Sequence, residues 1–190
     1  NAVHFLTAWA DKYAMNGEAM QTALLEDAKR YIRIISRKEH GPIPTVLPDG
    51  LSIVGIAQTA AAIFESLYEE NARDVVSDEL LVLVKLWLNY AMMWAYGGMI
   101  STDADVATRR QAFSRWWREN TGVQFGEKGL VWDYVVDTTK TRMVHIHNVN
   151  KPFNYLSPNA LFPQPLVETD ELCAFGLAFS LLIRNGRSVV

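Results

Sequence analysis

Two histidines, two aspartates and one arginine- and tryptophan-rich stretch carry the residue types and spacings that could do chemistry. His145 and His147 alternate in "RMVHIHNV". On a strand, residues two apart point to one face, so both imidazoles could share a metal. No third ligand stands at a suggestive spacing, because Cys173 is distant and His4 and His40 are isolated. A polar strand face is therefore favoured over a metal site. Asp133 and Asp137 invite a paired-carboxylate reading. On an extended strand they share a face, but four residues separate them by ~13 Å. That exceeds the roughly 5–9.5 Å of paired glycosidase carboxylates, and two solvated acids flanking a turn is the simpler reading.

"RRQAFSRWWRE" (109–119) combines four arginines with two tryptophans, which could hold phosphates and stack bases. At helical spacing, however, Phe113, Trp116 and Trp117 share a sector with Val106, while Arg115 and Arg118 fall mostly elsewhere. That pattern favours an amphipathic helix with its aromatics in a core. An arginine reaching a nucleotide held by a neighbouring domain stays open. No glycine-rich phosphate loop, nucleophile elbow, paired-cysteine motif or His-Glu-x-x-His helix occurs in the sequence. No catalytic, cofactor-binding or metal-binding residue is assigned.

The elements that would position these residues are mostly helices. Apolar residues recur at three- and four-residue spacing over 2–14 (Val3, Leu6, Trp9, Ala10, Tyr13) and over 19–38 (Ala23, Leu24, Ala28, Tyr31, Ile34, Ile35). "GPIPTVLPDG" (41–50) breaks the pattern with three prolines and two glycines. Asp49 can cap the helix that follows, and Ser77 the next. A polar loop with Asp103 and Asp105 leads to the fifth helix. The period then changes: "GLVWDYVVDTTKTRMVHIHNV" (129–149) alternates and is β-branched, with "DTTK" placed to turn between two strands of a hairpin. Residues 150–165 are linker-like, and Thr169 or Asp170 caps a last helix, 171–184. Asn185-Gly186 then turns into the aliphatic Ser188-Val189-Val190, the expected start of a strand.

Composition sets the class. The 190 residues are 49% hydrophobic and 21% charged, enough for a real core. A net charge of −3 and a pI near 5.8 argue against a chain built mainly to hold nucleic acid. Cys173 is the single cysteine, so no internal disulfide forms and a reducing compartment fits. No leader of the secretory kind is seen. "LLVLVKLWLNYAMMWAYGGMI" (80–100) is long enough to span a bilayer, but Lys85 and Asn89 fall inside it, which favours a buried core helix. Gly97-Gly98 would let another backbone approach that helix or would end it. The expected fold is mainly α: a helical bundle with a small β-hairpin and the start of an α/β module.

Several of these stretches, in order, resemble the dynein heavy chain around the end of its second AAA+ module and the start of its third. "AVHFLTAWADKY" resembles a helix that follows the second module's large subdomain, and "PIPTVLPDGLSIVGIAQTAAAIFESL" is similar to a segment with a Pro-Thr, an Asp cap and a leucine-rich helix. The fullest similarity is "LWLNYAMMWAYGGMISTDADVATRRQAFSRWWREN". Its Trp94, Gly97-Gly98, Asp103 or Asp105, Arg109 or Arg110, Phe113 and Arg118 stand where the family has a helix-ending Trp, a small-residue turn, an Asp, an Arg, a Phe and a basic helix end. "LVWDYVVD" resembles the family's aromatic-Asp-Tyr-x-Val-Asp signature through Trp132, Asp133, Tyr134, Val136 and Asp137. "LVETDELCAFGLAFSLLIRNGRSVV" keeps the family's helix, turn and strand. It departs at Val167-Glu168-Thr169, where Pro-Thr is usual, and at Cys173-Ala174, where an Arg is usual.

The resemblance implies three parts: a helical lid over 1–120, the hairpin and connector over 121–165, and the start of the next large subdomain over 166–190. Val190 would stand immediately before a Gly-x-x-x-x-Gly-Lys-Thr loop, whose amides and lysine cradle ATP phosphates. The parent would be a minus-end-directed microtubule motor using ATP and Mg²⁺. Its partners would be neighbouring AAA+ modules, the microtubule and other dynein subunits, with no nucleic acid and no membrane. It would be cytoplasmic and cytoskeleton-associated, or placed in a ciliary or flagellar axoneme. The chain alone is expected to bind no cofactor, since the family's catalytic residues all belong to other parts. Two rival readings are a free-standing helical adaptor and a small enzyme using the two histidines with a metal.

Overall fold

Asn1 caps the first helix by accepting a hydrogen bond from the Val3 amide at 2.9 Å, satisfying one of the orphan donors that every helix start leaves. In the computed structural model the described residues are 1–14, 17–36, 53–72, 77–100, 106–149 and 169–186. They form α1 (Ala2–Asp11), α2 (Glu18–Ser36), α3 (Ile53–Asn71), α4 (Ser77–Gly97), α5 (Val106–Thr121), strands β1 (Tyr134–Asp137) and β2 (Arg142–His145), and α6 (Asp170–Arg184). The mainly helical expectation is met. Thr169 is the cap of α6, its hydroxyl accepting from the Leu172 amide, and Gly186 takes φ +66° in the turn after Asn185. The expected cap Asp49, the loops over 41–50 and 101–105, the linker over 150–165 and the strand over 188–190 lie outside the described residues, and Ser77, the other expected cap, is the first residue of α4.

α4 is the axis of the core. It packs against α2, α3, α5 and the hairpin, and every residue from Leu88 to Tyr96 is buried. The helix is long and apolar enough to cross a membrane, yet 72% of that window is covered by the rest of the protein. All six tryptophans are buried. A run of small residues, Ala57, Ala60, Ala61 and Ala62, is buried on α3, so its neighbours α4 and α6 can approach closely.

One polar group sits in the middle of this apolar mass. Asn89, fully buried on α4, donates to the Tyr31 hydroxyl at 2.7 Å and accepts from the Trp117 indole at 3.4 Å. The Tyr31 and Trp117 rings stack 5.6 Å apart. The triad therefore ties α2, α4 and α5 together with its members paired, as burial requires. Burial pushes the Tyr31 hydroxyl up to about 12, and raises Tyr13 and Tyr90 as well. For a phenol the raised folded value means stability is complete below an unfolded value near 10 and is lost as pH rises from about 10 towards 12. Urea unfolding midpoints are expected to stay level from pH 8 to 9.5 and fall steeply above pH 10. A flat profile to pH 12 would contradict the burial of these hydroxyls.

The hairpin is shorter than its alternating pattern suggests. β1 and β2 pair antiparallel with Tyr134 opposite His145 and Asp137 opposite Arg142, and the flanks Val131–Asp133 and Ile146–Asn148 coil into 3₁₀ turns. The cause is competition for backbone donors. The Val131 amide donates to Ser114 Oγ on α5, and the Leu130 amide to Asp133 Oδ2. The amides at the edge of the ladder stay inside that turn, Asp133 donating to the Leu130 carbonyl and Tyr134 to the Val131 carbonyl, and the ladder stops after four residues. Thr141 ends the turn at φ +50°, a left-handed conformation that a β-branched residue adopts at a cost. Thr141→Gly is expected to raise stability by about 1 kcal/mol, read as a higher urea midpoint at constant slope.

Candidate functional site

The residues with possible chemistry converge on the hairpin and the end of α5, and the structure gives most of them structural partners. His145 ends β2 and His147 belongs to the following 3₁₀ turn, so they do not share a strand face as their spacing suggested. His145 Nδ1 accepts from the His147 backbone amide at 3.3 Å, and the His145 ring lies edge-on to Tyr134. His147 Nδ1 instead faces Asp170 Oδ2 at 3.4 Å, across to the first turn of α6. Among the described residues, no three His, Cys, Asp or Glu side chains converge on a point where a metal could sit.

The aspartates are separated in the same way. Asp133 is in a 3₁₀ turn and not on a strand, and its carboxylate accepts from the Leu130 amide at 2.6 Å. Asp137 closes β1, and Oδ1 accepts from the amides of Thr139 and Lys140, each at 3.0 Å. The Lys140 amide and then its ammonium hold the Asp137 carboxyl below the usual carboxylate range. This is an Asx-type turn of the kind that stabilises a hairpin end, and it leaves no paired carboxylates for acid and base work.

On α5 the aromatics do enter the core: Phe113 and Trp117 are fully buried and Trp116 nearly so. The arginines between them hold the polypeptide together. Arg118 donates to the carbonyls of Gly126 at 2.6 Å and Gly129 at 3.1 Å. Its guanidinium lies over the rings of Phe125 and Tyr134, 5.2 and 5.5 Å from their centroids. The Tyr134 hydroxyl donates to the Lys128 carbonyl at 2.6 Å, so residues 122–130 are fastened at both sides. Arg110 pairs with Glu171 on α6, over Trp132 and Phe175. Arg30 of α2 donates to the Thr121 carbonyl and caps the end of α5. Sequence reasoning about phosphates and bases missed these uses. The only signal for them was the placement of arginines beside the glycine-containing stretch 122–129.

A shallow cleft of about 500 Å³ runs along the hairpin, lined by Lys128, Tyr134, Arg142, His145 and His147 among others. Its lining mixes Lys128 and Arg142 with the acidic Glu127 and the apolar Met143 and Val144, and it places no serine, threonine or cysteine nucleophile beside a base, so geometry supports contact there and not covalent chemistry. The junction beneath it is dense. Trp132 stacks on Phe113 with centroids 4.9 Å apart. Gly97, where α4 ends, gives both rings their room: a Cβ there would meet Trp132 at 2.6 Å and Phe113 at 2.8 Å. Of the two roles expected for Gly97-Gly98, the helix does end, and what approaches closely is a pair of side-chain rings and not a second backbone.

Comparison with known proteins shows the family. Residues 50–148, just over half of the chain, match the family described as the dynein heavy chain AAA lid domain. The dynein beta chain of the flagellar outer arm from Chlamydomonas reinhardtii is 33% identical over 175 residues, covering 90% of this chain and 4% of its own length. Dynein axonemal heavy chain 11 of Sus scrofa is 23% identical over 189 residues, again 4% of its own length. The ciliary dynein beta chain of Tripneustes gratilla is 29% identical over 109 residues, 57% of this chain and 2% of its own length. The chain thus spans a small part of the curated relatives it matches.

Proposed function

The chain belongs to the dynein heavy chain family, and we propose that it works as a mechanical lid and connector between two ATP-driven modules of a parent motor. In this reading residues 1–120 are the helical lid of one AAA+ module, 121–165 the connector, and 166–190 the opening of the next large subdomain. The parent would use ATP and Mg²⁺ to move toward microtubule minus ends. The names of the relatives, which are axonemal, flagellar and ciliary, favour an axonemal setting. Partners would be the adjacent AAA+ modules, the microtubule and other dynein subunits.

The observation that carries this reading is the continuity of the core across the three parts. Trp132 of the connector stacks on Phe113 of α5. α6 is seated on α3 by a hydrogen bond from the Ser66 hydroxyl to the Leu181 carbonyl and by two from the Asn185 amide. The pairs Arg110–Glu171 and Arg184–Glu70 fasten its two ends. Close-packed interiors shift between discrete arrangements and do not deform smoothly, so such a block passes a displacement at one end to the other. Of the arginines on α5, Arg110 is held by Glu171 and Arg118 by backbone carbonyls. No step of ATP chemistry is assigned to this chain's own residues.

The test is made in a parent heavy chain. Loosening the connector by Trp132→Ala, or unlatching α6 by the milder Arg110→Gln, is expected to leave ATP binding intact and to lower the microtubule gliding speed obtained per ATP turned over. Unchanged gliding per ATP in both variants would overturn the mechanical reading.

A further inference from the structure

Every residue of β2, from Arg142 to His145, lines the cleft on the hairpin. Successive side chains of a strand point to opposite faces, so a cleft that reaches all of them runs along the strand's backbone edge. That edge is open. Among the described residues the sheet has two strands, and β2 pairs with β1 alone. Its outward N–H and C=O groups are therefore a template for a further strand. The opposite wall of the cleft is the stretch 126–128, held in place where the Tyr134 hydroxyl donates to the Lys128 carbonyl at 2.6 Å.

The charges along the cleft select the occupant. Arg142 and Lys128 are exposed, and among the described residues neither side chain has an ion-pair or hydrogen-bond partner. Asp137 stands opposite Arg142 in the ladder but gives its carboxylate to Lys140. His147 is committed to Asp170. Arg142 lies at the turn end of the edge. Lys128 is anchored beside Tyr134, which stands opposite His145 at the other end. Those ends are three residues apart, about 10 Å along a strand. An extended chain carrying two acids meets both cations where they stand, whereas a compact anion has to draw both along the cleft. Between the ends, Met143 and Val144 are buried and give the edge an apolar centre. We propose that the β2 edge takes up an extended segment of another polypeptide as a third strand, with two acidic residues three apart and two aliphatic residues between them. Main-chain bonds to β2 supply affinity, and the acid–cation pairs supply selection. Edge cations also discourage indiscriminate strand pairing, so Arg142 and Lys128 guard the edge against other strands and admit an acidic one.

The test titrates the 190-residue chain with the blocked peptide Thr-Glu-Val-Val-Glu-Thr and follows its backbone amide signals. Binding is expected to shift the amides of 126–128 and 142–145 and to slow hydrogen exchange along β2 at least about tenfold at saturation. Arg142→Gln and Lys128→Gln are each expected to weaken binding roughly two- to fivefold, the range of exposed ion pairs. Glu127→Gln removes the acid from the opposite wall and is expected to tighten binding by about twofold. All three side chains are exposed, so the fold is kept. A peptide methylated on both valine nitrogens keeps its charge but loses the N–H that must face β2, and it is expected not to bind. Equal binding by that peptide, or by one with both glutamates replaced by glutamine, would overturn the proposal. So would an absence of shifts at 142–145, or displacement of the peptide by inorganic phosphate at the peptide's own concentration, which would mark a site for a compact anion.

Discussion

Trp132→Ala is expected to destabilise the chain by about 3–5 kcal/mol, the range for removing a large buried aromatic. Trp132 is 3% exposed and stands where three elements meet. Its ring stacks on Phe113 at 4.9 Å, lies beneath the Arg110 guanidinium at 5.0 Å, and fills the space that Gly97 leaves at the end of α4. Truncation opens a cavity that its neighbours cannot close, because Phe113 is itself stacked on Trp117 at 5.4 Å and is fully buried. The loss should fall first on the hairpin. Amide exchange over 131–148 is expected to become faster than exchange in α3 and α4, as the hairpin then opens separately from the helical core. Uniform acceleration across all elements would show that the hairpin and helices unfold only together.

Asn89→Ala should cost about 3 kcal/mol, more than the deletion of so small a side chain suggests. The side chain is fully buried, and its loss leaves the Tyr31 hydroxyl and the Trp117 indole N–H without their partner, at roughly 1–3 kcal/mol for a group left unsatisfied. A double-mutant cycle separates the network from the cavity. Tyr31→Phe removes the orphaned hydroxyl, so it should be clearly less costly in the Asn89→Ala background than in the wild type. Additive effects would mean that the hydrogen bond between Asn89 and Tyr31 contributes nothing net. Urea unfolding of the four proteins at pH 7 provides the measurement.

Much of the fold was legible in the chain because helix formation here is driven by local pattern. The three- and four-residue recurrence of Leu6, Trp9 and Ala10, or of Leu24, Ala28 and Tyr31, specifies both a helix and its buried face, and each of these residues is in the core. Thr169 announced a cap and Asn185-Gly186 a turn through their own backbone chemistry. Lys85 and Asn89 in the most apolar run correctly favoured a core helix over a membrane span, since Asn89 has its partners inside the protein.

The roles of the polar residues were not legible. Spacing along the chain placed His145 with His147 and Asp133 with Asp137, but whether such pairs share a face depends on where the strand stops. β1 is preceded by a 3₁₀ turn whose start is held from α5, where Ser114, seventeen residues away, accepts from the Val131 amide. Likewise the arginines of α5 looked like ligands for phosphate because their partners, the carbonyls of Gly126 and Gly129 and the carboxylate of Glu171, are brought near only by tertiary packing. The sequence by itself determined the helices, their buried faces and the family, because these depend on periodicity and on the order of short motifs. Tertiary structure alone decided which charged and polar groups are structural, because a hydrogen-bond partner is set by proximity in space, which the distance between two residues along the chain does not encode.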